Sequence, residues 1–125
     1  MATNVSAMGK IYDLEERTAV FGERVIILCK SIKQTPINRR IVEQLIGSSA
    51  SIGANYMEAN GACSKKDFQN KIFIVKKECK ETKHHLRLLA AAHPERKEEL
   101  RTLWRECQEL TCIFSRIANS CRERR

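Results

Sequence analysis

Leu14, Thr18, Phe21, Val25, Leu28 and Ile32 follow one another at steps of four, three, four, three and four. On a helix that alternation keeps every side chain on one stripe. The same stepping recurs three more times: Ile41, Leu45, Ser48, Ile52, Asn55, Ala59; then Phe68, Ile72, Val75, Cys79, Thr82, Leu86, Leu89; then Leu100, Leu103, Cys107, Leu110, Phe114, Ile117, Cys121. An apolar stripe on a helix is buried against other stripes. Four of them joined by short links therefore predict an all-α fold, an antiparallel up-down-up-down four-helix bundle.

Local signals place the boundaries. The helices are expected over about 12–34, 38–61, 64–92 and 94–121, in one domain covering 1–125. Thr35-Pro36 stops the first, because the residue before a proline is pushed out of the helical region. Asn38 is a good N-cap for the second, and Asn60-Gly61 supplies its stop. Ser64 with Asp67 three residues on resembles a capping box for the third. Pro94 suits a first helical turn, and Glu95, Glu98 and Glu99 suit the positive end of the helix dipole. Arg122 to Arg125 read as a frayed cationic tail. The middle of helix two is rich in small residues, from Gly47 to Ala54. Two glycines there cost about 1 kcal/mol each, which predicts close approach of a neighbouring helix. Only five Gly and two Pro in the chain argue against a sandwich or barrel.

Six cysteines are present, with no CxxC pair. Cys79, Cys107 and Cys121 fall on apolar stripes, where cysteine behaves as a small hydrophobe. The expectation is free thiols in a reducing cytoplasm. Met1 to Lys10 holds no signal-peptide core, and no run approaches the length of a membrane span. No membrane partner is expected.

The charge is uneven. Residues 64–93 carry eight Lys/Arg against three Asp/Glu, in a chain whose formal net charge is +8. Lys76, Lys80, Lys83 and Arg87 recur at steps of four, three and four, and Lys66, Phe73, Lys80 and Arg87 at steps of seven. By helical geometry that line lies roughly 100° from the apolar stripe, so it should face solvent. A basic ridge on a rigid rod fits a polyanion and predicts salt-dependent affinity for nucleic acid. Phe73 within it can stack on an unpaired base or fill a subunit contact. The plainer reading is a solvated face that keeps the protein soluble.

Other candidates carry less chemistry. Gln44, Asn55, Glu58 and Glu81 lie on or near packing faces and are expected to form a structural polar network, with Tyr56 as a further partner. Di-metal carboxylate bundles need two Glu-x-x-His pairs, and Glu81 to His84 is the single pair present. His84, His85, Cys79 and His93 lack zinc-type spacing, so neither a metal nor another cofactor is expected. His93 reads as a cap substitute or a loop residue. The helix-two serines have no strand-turn-helix elbow, and no phosphate loop appears. Ile74, Leu88, Trp104 and Ala118 are apolar positions beside the stripes. They suit a subunit interface, Trp104 best of all.

One stretch is specific. Gln44, then Ser48 to Glu58 (Ser-Ser-Ala-Ser-Ile-Gly-Ala-Asn-Tyr-Met-Glu), then Ser64-Lys65-Lys66-Asp67-Phe68, then Lys76-Lys77-Glu78 and Glu81-Thr82, resembles the bacterial four-helix-bundle family named for the 23S ribosomal RNA intervening sequence. That family is related to the accessory variability determinant of diversity-generating retroelements. The resemblance covers about residues 15–120. It departs where Ala59-Asn60 separates Glu58 from Gly61 and where His85 stands in place of a large aromatic. It implies an antiparallel bundle, a ring-like homopentamer and no enzymatic activity. The retroelement relatives bind nucleic acid and a reverse transcriptase through basic surfaces. The resulting expectation is a cytoplasmic, self-assembling, non-enzymatic bundle that binds RNA or DNA electrostatically, as an accessory or scaffold for a nucleic-acid enzyme. The alternative is a protein-interaction module with no nucleic-acid contact, whose charge steers an acidic partner.

Overall fold

A computed structural model describes residues 4–5 and 11–123, with side chains over 13–121. Four helices carry the fold: α1 (Leu14–Lys30), α2 (Arg39–Asn60), α3 (Lys65–Ala92) and α4 (Lys97–Glu123). They form the antiparallel bundle that the four stripes require, with α1 against α2, α2 against α3 and α3 against α4. α1 meets α4 much more sparsely. Two short strands, β1 (Asn4–Val5) and β2 (Ile11–Tyr12), pair antiparallel ahead of α1. Nothing in the apolar spacing anticipated them. Among the described residues no helix is long and apolar enough to cross a membrane.

The helix ends show which local signals won. α1 starts after Asp13, whose carboxylate accepts from Glu16 N at 3.2 Å. It stops at Lys30, four residues short of the expected end, because Ser31 caps it: the Ser31 hydroxyl donates to Leu28 O at 2.6 Å. α3 begins as expected at Ser64, whose side chain accepts from Asp67 N at 3.0 Å. Pro94 opens a single 3-10 turn, Pro94–Arg96, before α4. α4 continues to Glu123, so the tail begins helical; Arg124 and Arg125 lie outside the described residues.

The stripes of α1 and α3 fill the core as the spacing requires. Leu14, Thr18, Phe21, Val25 and Leu28 are buried from α1, and Ile72, Val75, Cys79, Thr82, Leu86 and Leu89 from α3. α2 is turned by a fraction of a position. The expected Leu45, Ser48, Ile52 and Ala59 are buried, and Val42, Ser49 and Tyr56 join them, whereas Ile41 and Asn55 are half-buried. A line three residues before Leu45 serves the core as well as one four before it, since 3.6 residues per turn falls between the two. The Tyr56 ring (3% exposed) settles the choice by packing edge-on against Phe114, with centroids 5.4 Å apart. Late in α4, Ala118 (0% exposed) takes the core place expected for Ile117, which is half-buried.

The small residues of α2 divide in use. A Cβ on Gly53 would lie 3.2 Å from Thr18 Oγ1, so close approach of α1 accounts for that glycine. A Cβ on Gly47 would meet nothing within 4 Å, and packing does not explain it.

Asn38 is fully buried (0% exposed) and holds the α1–α2 link rather than capping α2. Its Oδ1 accepts from Thr35 N at 2.9 Å, and its Nδ2 donates to Lys33 O at 2.9 Å. Those two backbone partners fix the amide orientation. Nδ2 also lies 2.7 Å from His93 Nε2, which must then accept, leaving the His93 proton on Nδ1, 3.1 Å from Glu95 Oε2. His93 takes the cap position between α3 and the 3-10 turn without a side-chain cap bond, and its half-buried ring ties that turn to the α1–α2 link.

Candidate nucleic-acid interface

α3 presents its charge because its apolar stripe is locked inward. Opposite that stripe Lys66, Phe73, Lys77, Lys80, His84 and Arg87 are exposed. Lys76 and Lys83 are half-buried on the flank beside α4. The five candidate cations therefore form two rows: Lys66, Lys80 and Arg87 point outward, while Lys76 and Lys83 edge the α3–α4 groove. None of the five belongs to an ion pair among the described residues. Those pairs use Arg17, Lys71, His93, Arg96 and Arg101 instead.

Lys83 is engaged across the groove. Its Nζ donates to Gln108 Oε1 at 2.5 Å and lies 5.4 Å from the centroid of the Trp104 ring, within cation–π range. Trp104 is nonetheless 38% exposed. Arg101 and Arg105, both exposed, flank it on α4, and Arg101 Nη1 lies 3.7 Å from Glu98. The sequence placed Trp104 beside the stripe of α4. That Lys83 would reach it depends on the register between α3 and α4, which no spacing within one helix reveals.

Two α3 acids lie off the row of Lys66, Lys80 and Arg87, on the flank that Lys71 shares. Glu78 and Glu81 lie on the side of α3 nearer α2, the side marked by the Thr82–Ser48 and Lys71–Glu58 contacts. Burial, and then a hydrogen bond with Glu81, raises the Glu78 carboxyl above its ordinary range. His85 is shifted down, first by burial and then by the neighbouring His84.

The expected polar network does not assemble. Gln44 is exposed, Asn55 donates to Ser51 O of its own helix at 2.9 Å, and Glu58 is exposed and pairs with Lys71 at 2.7 Å. Glu81 is exposed beside Glu78. The roll of α2 turned Asn55 away from the interior and brought Tyr56 in. A different polar contact crosses from α2 to α3: the Thr82 and Ser48 hydroxyls lie 2.8 Å apart in the core.

The apolar interface candidates do not share one surface. Trp104 faces the basic groove, Leu88 is exposed on the opposite side of α3, Ile74 is half-buried there, and Ala118 is in the core. Further exposed apolar residues sit on α1, where Ile27 lines the sparse α1–α4 seam and Ile26 is exposed elsewhere on the helix. That seam opens into a cleft of about 430 Å³ floored by Leu28 and Leu103, with Arg24 and Arg96 among its lining. Its far end is clasped by Arg17, which pairs bidentately with Glu106 at 2.8 and 2.9 Å.

Among the described residues no three His, Cys, Asp or Glu side chains converge as a metal would require. Cys29, Cys79 and Cys107 are buried, and Cys63 and Cys112 are exposed, all as free thiols. The Cys107 thiol donates to Cys79 O at 3.2 Å. That pairing with Cys79, together with burial, pushes its pKa up and keeps it protonated.

The arrangement is that of a helical bundle whose α3 exposes Lys66, Lys77, Lys80 and Arg87, none of them in an ion pair among the described residues. The sequence matches the family model of the 23S rRNA-intervening sequence protein over residues 12–116, and the chain belongs to that family. Among solved structures it is similar to a protein with unknown function of the S23 ribosomal protein family from Bacteroides thetaiotaomicron VPI-5482. The two are 29% identical with a TM-score of 0.73, over 83% of this chain and 96% of the other. No curated protein matches the sequence.

Proposed function

We propose that this bundle is a non-enzymatic, self-associating protein that binds nucleic acid through the phosphate backbone, in the cytoplasm, as an accessory to a nucleic-acid enzyme such as a reverse transcriptase. The observation that carries the reading is the outward row of Lys66, Lys80 and Arg87, exposed and outside every ion pair of the described residues. Cations held by a rigid helix and not neutralised by carboxylates are available to displace counterions from a polyanion. The position of Glu78 and Glu81 off that row keeps the local field positive.

Self-association is supported by Ile27, 67% exposed, with Ile26 and Val20 also exposed on α1. Repeating the basic face in a ring such as a pentamer multiplies weak phosphate contacts. The same apolar surface favours the second reading, a protein-interaction module whose charge steers an acidic partner.

A salt titration separates them. Binding of labelled single-stranded RNA and DNA, followed by anisotropy, should weaken along a straight log–log line with a slope of several units. Replacing Lys66, Lys80 and Arg87 together with Gln should reduce that slope by about two, at roughly 0.7 for each single-strand phosphate that is no longer neutralised. Exposed positions of this kind leave the fold intact, which circular dichroism checks. No binding at low salt sinks the nucleic-acid reading and leaves the interaction module. Sedimentation of the protein alone tests self-association.

A further inference from the structure

A phosphate-binding row alone is indifferent to whether its polyanion is paired or single-stranded. The α3–α4 groove contains a feature that is not indifferent. Trp104 exposes 38% of its surface beside Lys83 of α3, with Arg101 and Arg105 exposed near it in sequence on α4. Along the α3 axis, Lys83 stands about 4.5 Å from the level of Lys80 and about 6 Å from that of Arg87, at 1.5 Å per residue. Lys83, which covers the indole, is therefore bracketed along α3 by outward cations on both sides. Phe73, exposed and one heptad before Lys80, adds a second aromatic ring to the outward row.

We infer that the groove takes an unpaired stretch of nucleic acid, with a base stacked on Trp104 and adjacent phosphates on Lys80 and Arg87. Charged grooves interleaved with exposed aromatic rings bind single strands in this way, because every base offers a π-face while a duplex keeps its faces stacked inside. Lys83 is suited to the exchange. Its ammonium holds the ring at 5.4 Å through a flexible four-carbon stem, and it moves onto a phosphate when a base takes its place. The cations of the groove outnumber its acids, which complements the backbone of a strand. The inference rests on the nucleic-acid reading above and adds the class of strand.

The chain holds one tryptophan, so its emission reports this site alone. Oligouridine and oligothymidine should quench that emission on binding, and a duplex of equal charge should bind without quenching it. Trp104→Leu keeps the apolar bulk and removes the stacking face. It should weaken single-strand binding about 5- to 150-fold, the range expected for removal of one base–aromatic stack, and leave duplex binding within about twofold. Trp104→Phe should recover much of the loss. Anisotropy of labelled strands gives binding independently of the tryptophan. If no strand binds by anisotropy, the underlying nucleic-acid reading has failed. If strands bind but emission stays constant and Trp104→Leu binds them normally, stacking is refuted and phosphate contact alone stands. If Trp104→Leu dissociates the assembly and weakens single-strand and duplex binding equally, Trp104 belongs to a contact between copies and the inference is overturned.

Discussion

Asn38 offers a test in which two readings of one residue predict different energies. As an N-cap of α2, it would be replaceable by Ser, which caps about as well. As the clasp seen here, it makes three side-chain bonds, to Thr35 N, Lys33 O and His93 Nε2. Serine is too short to span them. Each such bond contributes roughly 1 kcal/mol net, so Asn38→Ala should lose about 3 kcal/mol, nearer 2 if water reaches the freed Thr35 and Lys33 groups. Asn38→Ser should lose almost as much. At about 2.1 cal/mol/K per residue, the unfolding entropy of 125 residues is about 0.26 kcal/mol/K, so 3 kcal/mol lowers Tm by about 11 °C. Urea midpoints and thermal melts of both variants measure this. His93→Ala should be less harmful in the Asn38→Ala background than in the parent, by about 1 kcal/mol, because the shared bond is already gone. An Asn38→Ser variant within about 0.5 kcal/mol of the parent would refute the clasp.

Phe114→Ala should lose about 3–5 kcal/mol in urea unfolding, since the ring is fully buried and packs on Tyr56. Glu78→Gln tests the carboxyl pair through pH. Because the folded state raises the Glu78 pKa, it binds the proton more tightly than the unfolded chain, and stability drains away as pH rises through the folded value. Glu78→Gln should therefore melt higher than the parent near pH 7, and the difference should close as pH falls to about 4. A constant difference across that range would exclude titration of Glu78 as its cause.

Much of the fold was legible in the order of apolar residues. The stripes of α1 and α3 contain nearly all the residues those helices bury, Cys29 being the addition on α1, and Ser64 caps α3 where a short polar side chain before a stripe should. The outward direction of Lys66, Lys80 and Arg87 followed from the same geometry, once the inner face of α3 was known. Helical periodicity is a property of one helix, so one helix suffices to reveal it.

What only the packed bundle decided involves two helices at once. α2 had two adjacent lines fit for the core, and the Phe114 ring on α4 selected the one with Tyr56, which dispersed the polar group built around Asn55. Asn38 satisfied cap rules, yet its amide serves a link and a histidine fifty-five residues away. Lys83 matched the spacing of the outward row, but the relative register of α3 and α4 turned it onto Trp104. Local pattern sets which side chains share a face. Which neighbour meets that face depends on distances between helices, and those arise only when all four stripes are buried together.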